Sequence, residues 1–270
     1  MDYETIERSH PVFDVEHVTV WHAPNRKATV VLVHGLAEHA GRYQRTGSLL
    51  AGEGYEVIAP DLFGFGRSGG DRGDIPSWDN YFEQVERLID ETRSDRDDPV
   101  ALMGHSMGGL VAASYGLSRH SQPDFFILTA PALGGGALWQ KAMAPVVAAI
   151  AGRAQIPNGL RGEQLSRDPE VGENYFSDPL VLTKTSARLG NQLFKHQALV
   201  RAGLDDWSVP TLLLHGGADT IVPPSSTAAM GELPAVDRRL FPKLRHEILN
   251  EPEGPELVAE VVEWLDARVA

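Results

Sequence analysis

Short runs of apolar and β-branched residues alternate along the chain with longer stretches that show helical periodicity. The runs predict strands at residues 18–21, 29–33, 55–59, 100–103, 125–128, 211–214 and 239–241. The helical stretches are residues 42–51, 78–92, 107–118 and 256–267. Because alternating strands and helices form a mostly parallel central sheet with helices on both faces, the pattern predicts an α/β fold. Functional residues are then expected directly after strands.

The alternation stops between Leu133 and Asp206, where helical patterns continue without a strand signal. Structureless loops of that length are rare in compact domains, so we predict a helical cap, or lid, at residues 133–205, inserted into a core formed by residues 1–132 and 206–270. The alternative is a flexible loop that leads into another core helix. Residues 137–139 and 142–151 are too apolar for a purely solvated helix face, so we expect them to line the entrance and contact lipid aggregates; the alternative is that they pack on the core.

Composition narrows the class of partners. The net charge of −13 argues against nucleic acid, whose phosphates require clustered Lys and Arg. The sequence has no cysteine, which excludes disulfides, thiolate nucleophiles and Cys-ligated zinc. The first residues resemble no secretory signal, and no apolar run reaches the roughly 20 residues of a membrane span. We therefore expect a cytoplasmic protein with at most peripheral membrane contact; the oligomeric state stays open.

The pattern G-x-S-x-G, which marks a nucleophilic serine on a strand-to-helix turn, occurs twice. Ser106 follows the predicted strand at 100–103 and precedes a small, apolar, helix-compatible stretch. Ser68 lies among turn-forming residues with no strand before it and no helix after it. Context therefore selects Ser106 as the nucleophile and assigns Ser68 to a loop.

A serine hydroxyl needs a histidine base, and that histidine needs an acid that fixes its tautomer. In this architecture the order along the chain is serine, acid, histidine. Asp219 follows the strand at 211–214, and His246 follows the last predicted strand, so we predict Ser106, Asp219 and His246 as a triad. His196 and His215 are expected to be structural.

Attack on an ester builds negative charge on the carbonyl oxygen, which two backbone N–H groups stabilise by roughly 3 kcal/mol each. The N–H of Met107 directly follows the nucleophile, and that of Leu36 follows the strand at 29–33. We predict these two groups as the oxyanion hole. A glycine at position 35 then has a reason, because close approach of the backbone to the substrate leaves no room for a side chain. The alternative is that this segment is an ordinary turn that ends the strand. No metal and no cofactor is expected.

Several segments resemble the monoacylglycerol lipases and the closely related lysophospholipases of the α/β-hydrolase superfamily. They are His34-Gly35-Leu36-Ala37-Glu38-His39-Ala40-Gly41-Arg42-Tyr43, residues 61–70, 104–109 and 214–219, and the cap segments at 165–169 and 175–180. The resemblance implies an α/β-hydrolase fold and an enzyme that cleaves single-chain lipid esters, with the acyl chain in an apolar channel under the cap.

The same resemblance implies substrate-binding roles for Glu38, Arg42 and Tyr175 near the glycerol end of the lipid. Glu38 and Arg42 are also four residues apart, so the alternative is a surface ion pair of little energetic weight. Leu249 stands where some members carry a second histidine. The competing functions are a lysophospholipase, a general carboxylesterase, a peptidase, a cofactor-free haloperoxidase and a ligand receptor of the same fold.

Overall fold

The computed structural model describes residues 3–95 and 97–269 and shows an eight-stranded, mostly parallel sheet. The strand order is β1-β2-β4-β3-β5-β6-β9-β10, and the pairs β1·β2 and β2·β4 are antiparallel. The strands are β1 Tyr3–His10, β2 Asp14–Trp21, β3 Ala28–Val33, β4 Tyr55–Pro60, β5 Val100–His105, β6 Phe125–Thr129, β9 Thr211–Gly216 and β10 Val236–Phe241. The predicted α/β-hydrolase fold is confirmed.

The helices cover both faces of the sheet because neighbouring strand residues point to opposite sides. Val31, Val33 and Leu102 belong to one core cluster, and Val30, Leu32 and Met103 belong to the other. The first cluster contains side chains of α2 and α3, and the second those of α1 and α9. These core helices and the short α8 span α1 Gln44–Gly52, α2 Asp79–Asp95, α3 Met107–Gly116, α8 Ala228–Gly231 and α9 Gly254–Val269.

The parallel register brings the carboxyl ends of the central strands to one edge. Val33 of β3 is level with Gly104 of β5, and His105 is level with Thr129 of β6. The loops after these strands therefore meet at one site, as expected for an open α/β sheet.

Residues between β6 and β9 form the segment that we predict as the cap. It contains α4 Leu138–Ala151, α5 Gly162–Leu165, α6 Pro169–Ser177 and α7 Ala187–Ala202. The expectation of no strand here is wrong, because β7 Gln155–Pro157 and β8 Lys184–Ser186 form an antiparallel pair. Each has only three residues, too few to produce a visible alternation.

The edge strand β1 is also absent from the sequence prediction. Its residues alternate between exposed and half-buried, so they lack the apolar run that identifies the central strands. Its pairing with β2, in register from Tyr3 opposite Trp21 to His10 opposite Asp14, is what orders it.

Candidate active site

Ser106, His246 and Asp219 form one continuous chain of hydrogen bonds at the carboxyl edge of the sheet. Nε2 of His246 lies 2.8 Å from Oγ of Ser106, and Nδ1 of His246 lies 2.7 Å from Oδ2 of Asp219. The three residues follow β5, β10 and β9, so the sheet brings the loops that carry them to one edge. In this arrangement the imidazole can take the serine proton while the carboxylate holds the ring in the required tautomer.

The backbone around Ser106 is strained in a way that presents its hydroxyl. Ser106 has φ 51° and ψ −115°, a conformation that costs a non-glycine residue on the order of 1–3 kcal/mol. A Cβ at Gly104 would lie 2.3 Å from the Gly108 carbonyl oxygen, and one at Gly108 would lie 2.2 Å from the Val33 carbonyl oxygen. These glycines therefore allow the start of α3 to pack directly on the sheet beneath the serine.

The carboxylate of Asp219 is held by four N–H donors. Oδ1 accepts hydrogen bonds from the backbone N–H groups of Ile221 (2.8 Å) and Val222 (2.9 Å). Oδ2 accepts from His246 and, at 3.2 Å, from Nε2 of His215. Burial by itself raises the pKa of the Asp219 carboxyl, but the hydrogen bonds from His215 and His246 outweigh burial and hold it well below the ordinary range. Asp219 is therefore ionised at neutral pH.

The contact between His215 and Asp219 is the feature of this site that sequence reasoning missed. We expected His215 to be structural because it ends β9, before the acid. The available signal was the spacing of four residues within the turn His215-Gly216-Gly217-Ala218-Asp219. Such a tight turn after a strand can bring both side chains to the same sheet edge.

Of the two residues predicted to form the oxyanion hole, Met107 directly follows Ser106 and Leu36 lines the same cavity as Ser106. Met107 begins α3, and the first N–H groups of a helix have no intrahelical partner. The peptide before Leu36 is fixed by His34, whose Nδ1 donates to the Gly35 carbonyl oxygen (2.8 Å) and whose Nε2 accepts from the Leu62 N–H (2.9 Å). Because a trans peptide places its N–H opposite its carbonyl, this contact fixes the direction of the Leu36 N–H.

Gly35 also has a reason within the protein itself. A Cβ at Gly35 would lie 2.8 Å from Oε1 of Glu38 and 3.4 Å from Cβ of Ser106. The Glu38 carboxylate therefore restricts this position even without a bound substrate.

The alternative of a surface ion pair between Glu38 and Arg42 is wrong, because both side chains are buried. Glu38 binds Arg42 and also accepts hydrogen bonds from the Gly35 N–H (2.6 Å) and the Tyr43 hydroxyl (2.7 Å). Burial by itself raises the pKa of Glu38, but the Arg42 charge and the other partners lower it to about 2. Arg42 also makes two bonds to Glu247, at 2.9 and 2.8 Å, and its guanidinium lies 4.6 Å from the centre of the Tyr175 ring.

Two other residues near the motifs have structural partners. Oγ of Ser68 accepts a hydrogen bond from the His17 N–H at 2.9 Å, which ties the loop to β2. Nδ1 of His105 lies 3.1 Å from both oxygens of Thr129. Burial, together with the nearby His246 ring, lowers the pKa of His105 to about 4, so it stays neutral at physiological pH.

A cavity of about 60 Å³ adjoins the hydroxyl of Ser106. Residues of the predicted cap also line it, namely Leu160, Leu165 and Tyr175. The charged side chains on its wall are those of Glu38 and Glu247; Arg42 lies behind them. Sites for drug-sized ligands occupy roughly 300–1,000 Å³, so this cavity is too small to hold such a ligand in this conformation.

Among residues 3–95 and 97–269, no three His, Asp or Glu side chains group in a way that could hold a metal ion. In the same ranges, no helix combines the length and the apolar character that crossing a bilayer requires.

Comparisons with known proteins agree with this geometry. The family model for serine aminopeptidase, S33, matches residues 24–253. The monoacylglycerol lipase of Mycolicibacterium smegmatis is 30% identical over 254 residues, which cover 88% of each chain. Phospholipase YtpA of Bacillus subtilis is 32% identical over 245 residues, which cover 88% of this chain and 94% of the relative. The crystal structure of Paleococcus ferrophilus monoacylglycerol lipase superposes with a TM-score of 0.86 at 32% identity, covering 93% of this chain and 98% of that one.

Proposed function

We propose, from the premise that the chain belongs to the serine aminopeptidase S33 family of hydrolases, that it cleaves monoacylglycerols to fatty acid and glycerol. The observation that carries the proposal is the hydrogen-bonded chain from Ser106 through His246 to Asp219, which adjoins a cavity lined in part by residues of the predicted cap. Two relatives of similar identity carry the name monoacylglycerol lipase, which favours this ester among those a serine hydrolase could cleave.

In the proposed reaction, Oγ of Ser106 attacks the ester carbonyl while Nε2 of His246 takes the hydroxyl proton. The N–H groups of Leu36 and Met107 stabilise the oxyanion, each by roughly 3 kcal/mol. His246 then returns the proton to the glycerol oxygen, which leaves, and the acyl group stays on Ser106. A water molecule, deprotonated by His246, releases the fatty acid and restores the serine.

The acyl chain requires an apolar site, and the segment between β6 and β9 contains one. A groove of about 250 Å³ runs between α4, the β7–β8 pair and α7, with Met143, Val147, Ile156 and Phe194 among its lining residues. It shares no lining residue with the cavity at Ser106. We propose that α4 moves to join the two spaces when the substrate enters.

The exposed face of α4 supports a membrane or micelle contact. Leu138, Trp139 and Ile150 are 86%, 69% and 82% exposed, and none of the residues of α4 is buried. An apolar helix in water is costly, whereas an interfacial helix places such a face in the acyl boundary of a lipid layer. We propose that α4 binds the lipid aggregate from which the substrate is taken.

The polar wall of the cavity favours an uncharged headgroup. Glu38 and Tyr175 line the cavity and are proposed to bind glycerol hydroxyls, whereas Arg42 acts from behind by holding Glu38. A lysophospholipid would place its phosphate beside the carboxylates of Glu38 and Glu247, and among the residues that the structure describes no Lys or Arg lines this cavity to neutralise it. Glycerol requires no such neutralisation, so monoacylglycerol is preferred over lysophospholipid.

The test is a hydrolysis panel at matched detergent and interface. It compares monoacylglycerols, diacylglycerols, triacylglycerols, lysophospholipids, short p-nitrophenyl esters and aminopeptidase substrates by product release. Each buried methylene contributes up to about 0.8 kcal/mol, so kcat/KM should rise with acyl length until the groove is full. Diacylglycerols should be slower and triacylglycerols slowest, because the enclosure has no place for further chains.

Each contrary result of the panel selects a competing function. A profile that peaks at acetate would indicate a general carboxylesterase, and equal turnover of triacylglycerol would indicate a triglyceride lipase. Cleavage of the aminopeptidase substrates alone would indicate a peptidase. Very slow or single-turnover cleavage of every ester would favour a ligand receptor of this fold.

A further inference from the structure

We propose that His215 is a positioning residue for the acid of the triad, because its Nε2–H holds Oδ2 of Asp219 in the orientation that His246 requires. The inference rests on the proposed roles of Ser106, His246 and Asp219. It adds a residue that contacts neither substrate nor nucleophile and acts through the carboxylate.

The partners of His215 determine its tautomer. Nε2 lies 3.2 Å from Oδ2 of Asp219 and 3.0 Å from the Val222 carbonyl oxygen, and both of these atoms only accept hydrogen bonds. Nε2 must therefore carry a proton. Nδ1 lies 3.2 Å from the hydroxyl of Thr227, which can donate to it.

Arg238, on the neighbouring strand β10, supports this arrangement. Its Nε donates to the Thr227 oxygen at 3.1 Å, and its Nη2 donates to the Pro224 carbonyl oxygen at 2.7 Å. The Thr227 hydroxyl has two acceptors within reach, the Pro224 carbonyl oxygen at 3.0 Å and Nδ1 of His215 at 3.2 Å. Because Arg238 donates to the Pro224 oxygen as well, that oxygen keeps a hydrogen-bond donor when the Thr227 proton points at Nδ1. A chain of contacts thus runs from Arg238 through Thr227 and His215 to Asp219.

Asp219 needs this support on the Oδ2 side. The backbone N–H groups of Ile221 and Val222 hold Oδ1 and leave the carboxylate free to tilt about that end. His215 and His246 share Oδ2, and the His215 ring is fully buried and cannot swing away. Charge-assisted hydrogen bonds of this kind fix geometry as well as lower the basicity of the acceptor.

Loss of the His215 donor should change how readily His246, the base, is protonated. Without the His215 donor, the charge of Asp219 is less dispersed and stabilises protonated His246 more strongly, so the acid limb of the pH–rate profile should move to higher pH. The charged or titratable groups around His215 are Asp219 on the following loop, Arg238 beyond Thr227, and His246 beyond Asp219.

The experiment measures the rate of fluorophosphonate labelling of Ser106 against pH, which needs no lipid substrate. His215→Leu should slow labelling about tenfold or more, as expected for loss of a hydrogen bond to a charged group. The acid limb of the pH–rate profile of this variant should move up by about half a pH unit or more. His215→Gln keeps an N–H donor near the position of Nε2 and should label within about threefold of wild type with an unshifted limb.

His196→Leu is the matched control, because His196 is also buried but stacks on Trp78 at 4.6 Å, away from Asp219. It should lower the melting temperature and leave the pH profile unchanged. An unshifted or downward-shifted limb in His215→Leu would overturn the proposal, as would equal slowing in His215→Gln. Lack of ester turnover with normal labelling would count against the proposed function only.

A second measurement covers the case in which His215→Leu does not fold. In wild-type protein labelled with ¹⁵N-histidine, long-range coupling should show His215 protonated at Nε2 and bare at Nδ1 at neutral pH. A proton on Nδ1 with a bare Nε2 would remove the donor to Asp219 and refute the inference.

Discussion

Replacing Glu38 with glutamine tests whether the buried charge network next to the nucleophile stabilises the fold. Glu38 lines the cavity at Ser106 and is only 3% exposed. Its carboxylate contacts Arg42, the Gly35 N–H and the Tyr43 hydroxyl. Glutamine keeps the size and one acceptor oxygen but removes the charge that Arg42 binds.

The magnitude follows from the pKa of Glu38, which is about 2 in the folded protein against an ordinary value of 4.5. At about 1.4 kcal/mol per unit, the ionised carboxylate contributes about 3 kcal/mol to the free energy of unfolding at neutral pH. Because the folded pKa is depressed, this contribution is fully present above pH 4.5 and is lost as the pH falls towards 2. It should still be about 2 kcal/mol at pH 3.5.

The assay is urea unfolding of wild type and Glu38→Gln at pH 7, 5, 4 and 3.5. We expect the variant to be less stable by about 3 kcal/mol at pH 7, with the difference shrinking by about a third at pH 3.5. Glu260→Gln serves as the control, because Glu260 pairs with Arg239 at 3.0 Å on the surface, where such a pair contributes about 0–1 kcal/mol. A Glu38→Gln difference below about 1 kcal/mol at pH 7, or one that does not change with pH, would refute the reasoning.

The remaining predictions concern the site and the cap. Ser106→Ala should abolish ester turnover and fluorophosphonate labelling, whereas Ser68→Ala should leave both nearly intact; retained labelling in the first variant would exclude Ser106 as the nucleophile. Asp219→Asn should lower kcat by about 10⁴ while the protein stays folded, because the imidazole loses its tautomer; a loss of less than about tenfold would assign the acid elsewhere. Joint replacement of Trp139 and Val146 by serine should weaken binding to lipid vesicles more than hydrolysis of a short soluble ester, and equal losses would indicate structural damage instead.

The sequence by itself determined the central sheet and the candidate triad. Buried parallel strands are continuous apolar runs, so β3, β5 and β9 are visible without any tertiary information. Once those strands are placed, the residues that follow them must meet at one edge. Ser106 and Asp219 were therefore identified by their position after a strand, and Ser68 was separated from Ser106 because it lacks one.

Only the tertiary structure decided how the charged and polar groups around that edge are paired. Arg42 binds Glu247, which is 205 positions away, and that contact turns an apparent surface pair into a buried network. The strands β1, β7 and β8 likewise form by pairing with partners: β1 and β7 are largely exposed, and β8 consists of the polar residues Lys, Thr and Ser, so none of them has a strong apolar signal. The physical reason is that an apolar run reflects the burial of its own residues and is visible in the sequence. The partners in hydrogen bonds and ion pairs depend instead on which loops the sheet brings together.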